Sequence, residues 1–332
     1  MRAAALCLLL ACAAWPQFRS TVPLVVAPTT VKDAKGRLVD GLDAASLILY
    51  DNNVTRPIQS DIAAYPISLV VAVQSSQNSA AILDKLGSSG ILFSQLLAAD
   101  QGETALLSFS NRVTMHADFT SNPDDLTGAL NRLHVEGFGA CTLDALSRAL
   151  EMLSHRPPGR RLIVLMIAEN RDRSSQAKLP AVVEQVQRLN AAVYWLTYSV
   201  ILAQYTDRKV TTVGDVENPR LKGIDKKADA TPLPAYTPPF NLLGGFFELA
   251  HLTNPNVADL FTRLTGAGSR DFLTKKALEQ SIHEIGEEMH RGYILTFPPA
   301  PGQAGLFHTI RVEVKGRPDL QAKTRAGYWA VQ

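Results

Sequence analysis

Between Ile67 and Val73 the chain reads ISLVVAV, apolar throughout except for Ser68. A strand with one wet face alternates apolar and polar residues, so an unbroken β-branched run belongs in a sheet covered on both faces. Arg161–Ala168 (RLIVLMIA) and Ala191–Tyr198 (AAVYWLTY) repeat the pattern, and Thr104–Phe109 (TALLSF) is a shorter version. Helical stripes fall between and after them, at 79–99, 124–133, 142–153, 179–189, 241–251, 256–264 and 275–290. Strand and helix alternating in this way predicts an α/β fold, a doubly wound and mainly parallel sheet. Leu69, Val71, Leu165 and Ile167 are expected at its centre. Arg112–Phe119 alternates like an edge strand, turned back through Ser110-Asn111.

The central run stops at a polar loop, Gln74-Ser75-Ser76-Gln77-Asn78-Ser79. In an open α/β sheet such a loop lies at the carboxyl edge, where ligands bind. What this loop can hold is therefore the functional question.

The flanks read differently. Val22–Val31 and Ala45–Tyr50 are strand-like, with Asp33-Ala34-Lys35-Gly36 as a turn, and β patterns return at 292–297, 306–314 and 321–329. Neither flank is large enough to stand alone, so the two are expected to pair into a small β subdomain beside the sheet. The division this implies is an N-terminal β segment at 20–64, the α/β domain at 65–290 and a C-terminal β segment at 291–332. Residues 200–240, with Pro219, Pro232, Pro234, Pro238 and Pro239 and no period of either kind, read as an irregular surface insertion.

Residues 1–14 read as a secretory signal: a basic start at Arg2, about 12 apolar residues, too few to span a bilayer, and small residues around Cys12. Leu9-Leu10-Ala11-Cys12 also resembles a lipobox, which would make Cys12 a lipid anchor. Either reading places the product in the periplasm, the cell envelope or outside the cell, and leaves Cys141 without a disulfide partner. With a net charge of +2 over 332 residues and no long Lys/Arg block, nothing attracts nucleic acid or an anionic membrane.

The order of these pieces resembles a von Willebrand factor A (VWFA) domain. The flanks resemble those of a bacterial exported VWFA-related family first grouped from acidobacterial proteins. The resemblance rests on VKDAKGRLVDGLDAASLILYDN, PISLVVAVQSSQNS, GACTLDAL, RLIVLMIAENRDRSS, NLLGGFFELAHL, LTGAG, MHRGYILTF and RAGYWA. It implies a protein-binding module whose usual Mg²⁺ or Mn²⁺ site uses a D-x-S-x-S loop, a Thr and an Asp. Hard cations of this kind need oxygen ligands and carboxylate charge. Here the matching positions hold Gln74, Ser76, Asn78, Ala140 and Glu169, or Ala168 if the third loop shifts by one. A degenerate metal site without bound metal is therefore expected, held by neutral hydrogen bonds. Weak rescue by Glu169 with Asp172 is the alternative, and Glu169 pairing with Arg171 or Arg173 is the plainer role for that acid.

Enzyme motifs are absent: no G-x-S-x-G, no phosphate loop, and His283-Glu284 lacks the second His of a zinc helix. An exported hydrolase remains the competing reading. Its candidates are Cys141, whose thiol a helix start could activate, and the His283/His290 pair. It requires a His within hydrogen-bond reach of a nucleophile. The favoured reading is a non-enzymatic module that binds a protein partner without a cofactor.

Overall fold

The computed structural model describes residues 24–62, 65–87, 102–198, 256–300 and 306–330. The expected signal segment, the Cys12 anchor, the 88–99 part of the 79–99 helix, the 200–240 insertion and the 241–251 helix lie outside the described residues.

A six-stranded sheet forms the centre. Its strands are β5 (Ile67–Gln74), β6 (Glu103–Phe109), β7 (Val113–Thr120), β8 (Arg161–Ala168), β9 (Ala192–Tyr198) and β10 (Ser269–Phe272), in the order β10-β9-β8-β5-β6-β7. All neighbours are parallel except β7, the antiparallel edge strand on β6. Every residue of β5 is buried, as its unbroken run requires. Successive side chains point to opposite faces of a strand, so β5 divides its core between two helical layers. Leu69 and Val71, with Leu165 and Ile167, pack beneath α1 (Ala80–Gly87), α2 (Pro123–Asn131) and α6 (Lys275–Arg291). Val70, Ala72, Val164 and Met166 pack beneath α3 (Thr142–Ser154), α4 (Leu179–Leu189) and α5 (Val257–Thr265). The result is a doubly wound α/β layer structure, with the four residues expected at its centre each 0–1% exposed.

The sequence reading omitted β10. Its residues, Ser-Arg-Asp-Phe, carry no apolar run, because an edge strand with one hydrogen-bonded neighbour has little to bury.

The flanks do pair, but as two antiparallel sheets around a third core. β1 (Val25–Lys32) lies between β11 (Tyr293–Phe297) and β13 (Gln321–Thr324), with β4 (Gln59–Ile62) on the far side of β11. The second sheet runs β14-β12-β2-β3, from Gly327–Trp329, Phe307–Val314, Leu47–Asp51 and Val54–Arg56. Ala27, Leu49, Leu295, Phe297 and Val312 fill the space between them.

The run read as one strand over 321–329 is thus split between sheets. The break falls at Arg325, whose buried guanidinium donates to the Gly327 carbonyl (2.7 Å) and Gln187 Oε1 (2.6 Å). Ala326 N–H bonds the Leu264 carbonyl at 3.2 Å, so the chain is docked on α4 and α5 as it changes sheet.

Candidate functional site

Three loops meet at the carboxyl edge of the central sheet. The first leaves β5 and enters a single 3₁₀ turn, Gln77–Ser79, closed by Ser79 Oγ donating to the Ser76 carbonyl (2.6 Å). The second, before α3, is zipped to it: Gln77 N–H bonds the Gly137 carbonyl (2.7 Å) and Glu136 N–H bonds the Ser75 carbonyl (2.8 Å). The third, after β8, is tied to the second by Arg173 N–H on the Ala140 carbonyl (3.0 Å) and Ala140 N–H on Ser174 Oγ (3.1 Å).

Cys141, at the N-cap of α3, offers no side-chain bond, so the third loop caps this helix instead. Leu143 N–H donates to Asp172 Oδ1 (3.2 Å) and Ser175 Oγ (3.0 Å), satisfying donors a helix start leaves open. Asp144 returns the tie, its carboxylate accepting from Gln176 and Ala177 N–H at 2.8–3.1 Å.

Among the sequence-derived site residues, Gln74, Ser76, Asn78 and Glu169 form one hydrogen-bonded group. Glu169 N–H donates to Gln74 Oε1 (3.0 Å), which fixes the amide orientation, since a backbone N–H can only donate. Gln74 Nε2 therefore points inward, to Ser76 Oγ (2.8 Å) and Glu169 Oε1 (3.3 Å). Asn78 Nδ2 reaches the same carboxylate oxygen at 3.4 Å. Arg173 Nη2 holds the other oxygen, Oε2. Ala140 joins only through its backbone. Ala168 ends β8, its carbonyl accepting from the Trp195 indole N–H (3.4 Å).

The group includes a charge, which corrects the expectation of purely neutral bonding: Glu169 is 6% exposed and its carboxylate is neutralised by Arg173. Asp172 faces the start of α3 and not Glu169, so the two acids do not combine. The residues present do not fit a divalent cation. A metal needs converging oxygen lone pairs, whereas the centre of this group receives the N–H faces of Gln74 and Asn78 and a guanidinium. Among the described residues no set of three or more His, Cys, Asp or Glu is arranged to hold a metal.

The hydrolase candidates separate. Cys141 is fully buried, and burial together with Asp144 pushes its thiol up to about 11, opposite to the activation its helix-start position suggested. His283 is exposed and His290 half-buried, two turns apart on α6.

A histidine does touch a hydroxyl elsewhere. His116 Nε2 lies 2.8 Å from Ser108 Oγ, with Glu136 beside both; no sequence motif marks this group, which comes from two strands and a loop. Ser108 Oγ lies 2.8 Å from the ring nitrogen and 3.4 Å from Glu136 Oε2, and the direction of the shorter bond is set by the ring tautomer. A nucleophilic hydroxyl must also be open to its substrate. Glu136 also addresses that same ring nitrogen, at 3.9 Å, and Ser108 is fully buried. Burial lowers the His116 pKa, opposed by Glu136. The arrangement pins β7 and the second loop to β6.

Phe138 went unnoticed in the sequence. It is 79% exposed at the tip of the second loop, between Gly137 and Gly139. A Cβ on Gly139 would lie 2.2 Å from Asn111 Oδ1, whose acceptance from Gly139 N–H (2.7 Å) anchors the loop. The Gly-Phe-Gly spelling was the available signal, a bulky residue between two that permit close backbone approach.

The von Willebrand factor type A domain family matches residues 70–170. A search of curated proteins returns no match. Among solved structures, an aerotolerance-related membrane protein from Bacteroides fragilis aligns at 12% identity over 67% of this chain and 99% of its own, with a TM-score of 0.40. The conserved hypothetical protein BatB from Bacteroides thetaiotaomicron aligns at 13% identity over 67% and 99%, with a TM-score of 0.38. The vWF domain of the type V pili tip protein Mfa5 from Porphyromonas gingivalis aligns at 19% identity and a TM-score of 0.30. That match covers 32% of this chain and 39% of the Mfa5 chain. With strand order, helical layers and the 70–170 match in agreement, the chain carries a von Willebrand factor A-like domain on its central sheet.

Proposed function

We propose that this chain is an exported, non-enzymatic module that binds a protein partner through the carboxyl-edge loops, with Phe138 as the apolar anchor and without a metal ion. VWFA domains generally mediate protein interactions. One observation carries the reading: a large aromatic ring is held in solvent by a loop whose backbone is bonded on both sides. Gly137 is fixed to the first loop, and Gly139 and Ala140 to Asn111 and Ser174. Such a ring loses little freedom on docking, and burying it contributes about 2 kcal/mol.

In this reading Gln74, Ser76, Asn78, Ala140, Ala168 and Glu169 are the remains of a metal site. Arg173 supplies the positive charge that Glu169 requires, and the closed group stiffens the platform beneath Phe138. The hydrolase reading gains nothing from Cys141 or from the His116–Ser108 contact, since the thiol and the hydroxyl are both fully buried. Export rests on residues 1–14; among the described residues no helix is long and apolar enough to cross a membrane.

The test compares wild-type protein, Phe138→Ser and Arg173→Ala as bait against a cell-envelope extract. A partner retained by wild type and lost by Phe138→Ser, with unchanged melting temperature and unchanged recovery in chelator, is the expected result. A partner held equally by Phe138→Ser, or released by chelator, overturns it.

A further inference from the structure

The opposite edge of the central sheet carries a cavity that the partner-binding reading does not use. Where β8 and β9 begin, the sheet meets β1 and β11 of the flank, and the junction encloses a cavity of about 320 Å³. That volume lies at the lower end of the range for small-ligand pockets, which favour such junctions. Its wall is mainly apolar, with Val26, Pro28, Tyr65, Leu162, Leu189 and Ile294, and Leu24 stands at it 51% exposed.

One charge enters this wall without a counter-charge. Arg161 opens β8, and one of its five N–H donors is used on the Met289 carbonyl. Among the described residues no carboxylate pairs with it; Glu288, the buried acid on α6, is already held by Lys32 and Arg270. Neighbouring Arg160 is engaged with Glu103 and Ser68. Burial lowers the Arg161 pKa, which an incoming anion would reverse. A guanidinium taken partly out of water without a carboxylate is costly, and its planar fork suits a bidentate oxyanion. The larger charged groove, about 650 Å³ between the 32–40 turn and α6, lacks this asymmetry. There Arg270 already faces Glu284 and Glu288, and Arg291 faces Asp40.

We propose that this junction pocket binds a small amphipathic carboxylate, a short acyl acid, with the acyl chain between β1, β11 and the start of β8 and the carboxylate on Arg161. The site lies the length of β8 from Phe138, on the order of 25 Å at ~3.3 Å per residue, and is independent of the partner-binding reading. Its wall includes flank residues outside the 70–170 family match, so it belongs to the joining of flank and sheet.

The experiment is isothermal titration of the full chain with octanoate, octanol and octylamine. Octanoate is expected to bind at least about tenfold more tightly than octanol, with octylamine weakest. Arg161→Met should abolish the preference for the acid over the alcohol. Leu24→Glu, at an exposed position where folding is not at risk, should weaken octanoate while Leu24→Lys does not, both with wild-type melting temperatures. These two variants decide the matter if Arg161→Met fails to fold. No octanoate binding up to about 5 mM, equal affinity for octanol, or octanoate binding indifferent to the charge at Leu24 overturns the proposal.

Discussion

Glu169 shows how a loop can satisfy a buried acid from within. Its carboxylate is nearly sealed, yet it accepts from Gln74, Asn78 and Arg173, so its charge and both oxygens are satisfied internally. Removing the guanidinium while keeping the acid leaves a buried anion with amide donors alone. Because Arg173 is 45% exposed, solvent softens the loss, and Arg173→Ala should cost about 1–2 kcal/mol. Adding Glu169→Gln should recover part of it, since no charge is then stranded. Urea melts of the two single variants and the double variant check this; strict additivity would show that the residues do not act together. Cys141 supplies a pH prediction. Its folded pKa is raised to about 11 from 9.0, so the thiol's contribution to stability is complete below the unfolded value and lost as pH rises through the folded one. Cys141→Ala should therefore flatten the fall of stability between pH 9 and 11, seen in melts across that window. Native Cys141 should also resist alkylation at pH 8 and label only in urea.

At the scale of elements, local spelling decided what could be read. Arg161–Ala168 and Leu179–Leu189 were bounded correctly, because one is a run of apolar residues and the other an amphipathic stripe closed by left-handed Asn190. The 256–264 stripe was legible as a helix, and Gly266 caps α5 at φ +75°. Its second duty was hidden: a Cβ there would lie 2.4 Å from the Thr324 backbone, brought in from the far end of the chain. Gly266→Ala combines a strained φ with a clash against main chain, and should cost at least about 2 kcal/mol. A melt within ~0.5 kcal/mol of wild type would show that β13 yields. The candidate site was legible in the same partial way. The family resemblance pointed to Gln74, Ser76, Asn78 and Glu169, but the direction of the Gln74 amide depends on Glu169 N–H facing its Oε1, a contact across 95 residues. Phe138 escaped because exposure is set by what fails to pack against a side chain, and no periodicity records that.

In the flank, a buried polar knot ties the two ends of the chain together. Asp51 on β2 accepts from Arg56 Nε (3.1 Å) on β3 and Tyr328 OH (3.2 Å) on β14, and meets His308 Nδ1 (2.6 Å) on β12. Asp51 and His308 are each 1% exposed. Asp51→Ala would leave a buried imidazole, a phenol and a half-buried guanidinium facing a void. The expected loss is about 3–5 kcal/mol, large enough to separate flank melting from sheet melting. Scanning calorimetry with a single unshifted transition would refute it.

For the molecule as a whole, the sheet is assembled largely from neighbouring segments, and the flank from the two extremes of the chain. That difference explains why the α/β order was plain and the division of the flank into two sheets was not: pairing of Val25–Phe297 or Leu47–Val314 leaves no local trace. It also predicts how the molecule comes apart. A chain ending at Arg291 lacks β11 to β14, so β1 loses both of its neighbours and β2 keeps only the three-residue β3. Ala27, Val31, Leu47 and Leu49, each at most 4% exposed in the whole chain, would then meet water along unpaired strand edges. The central sheet keeps all of its described strands and α6, whose Leu278, Ile282, Ile285 and Met289 cover one face. Limited proteolysis of this truncated chain should therefore cut within 24–62 and spare the described strands and helices of the central sheet from Tyr65 onward. In the full-length chain both regions should resist together. Protection of 24–62 after truncation would mean that the N-terminal strands hold to the sheet without their C-terminal partners, and that the flank is an extension of the domain and not a unit closed by the chain's two ends.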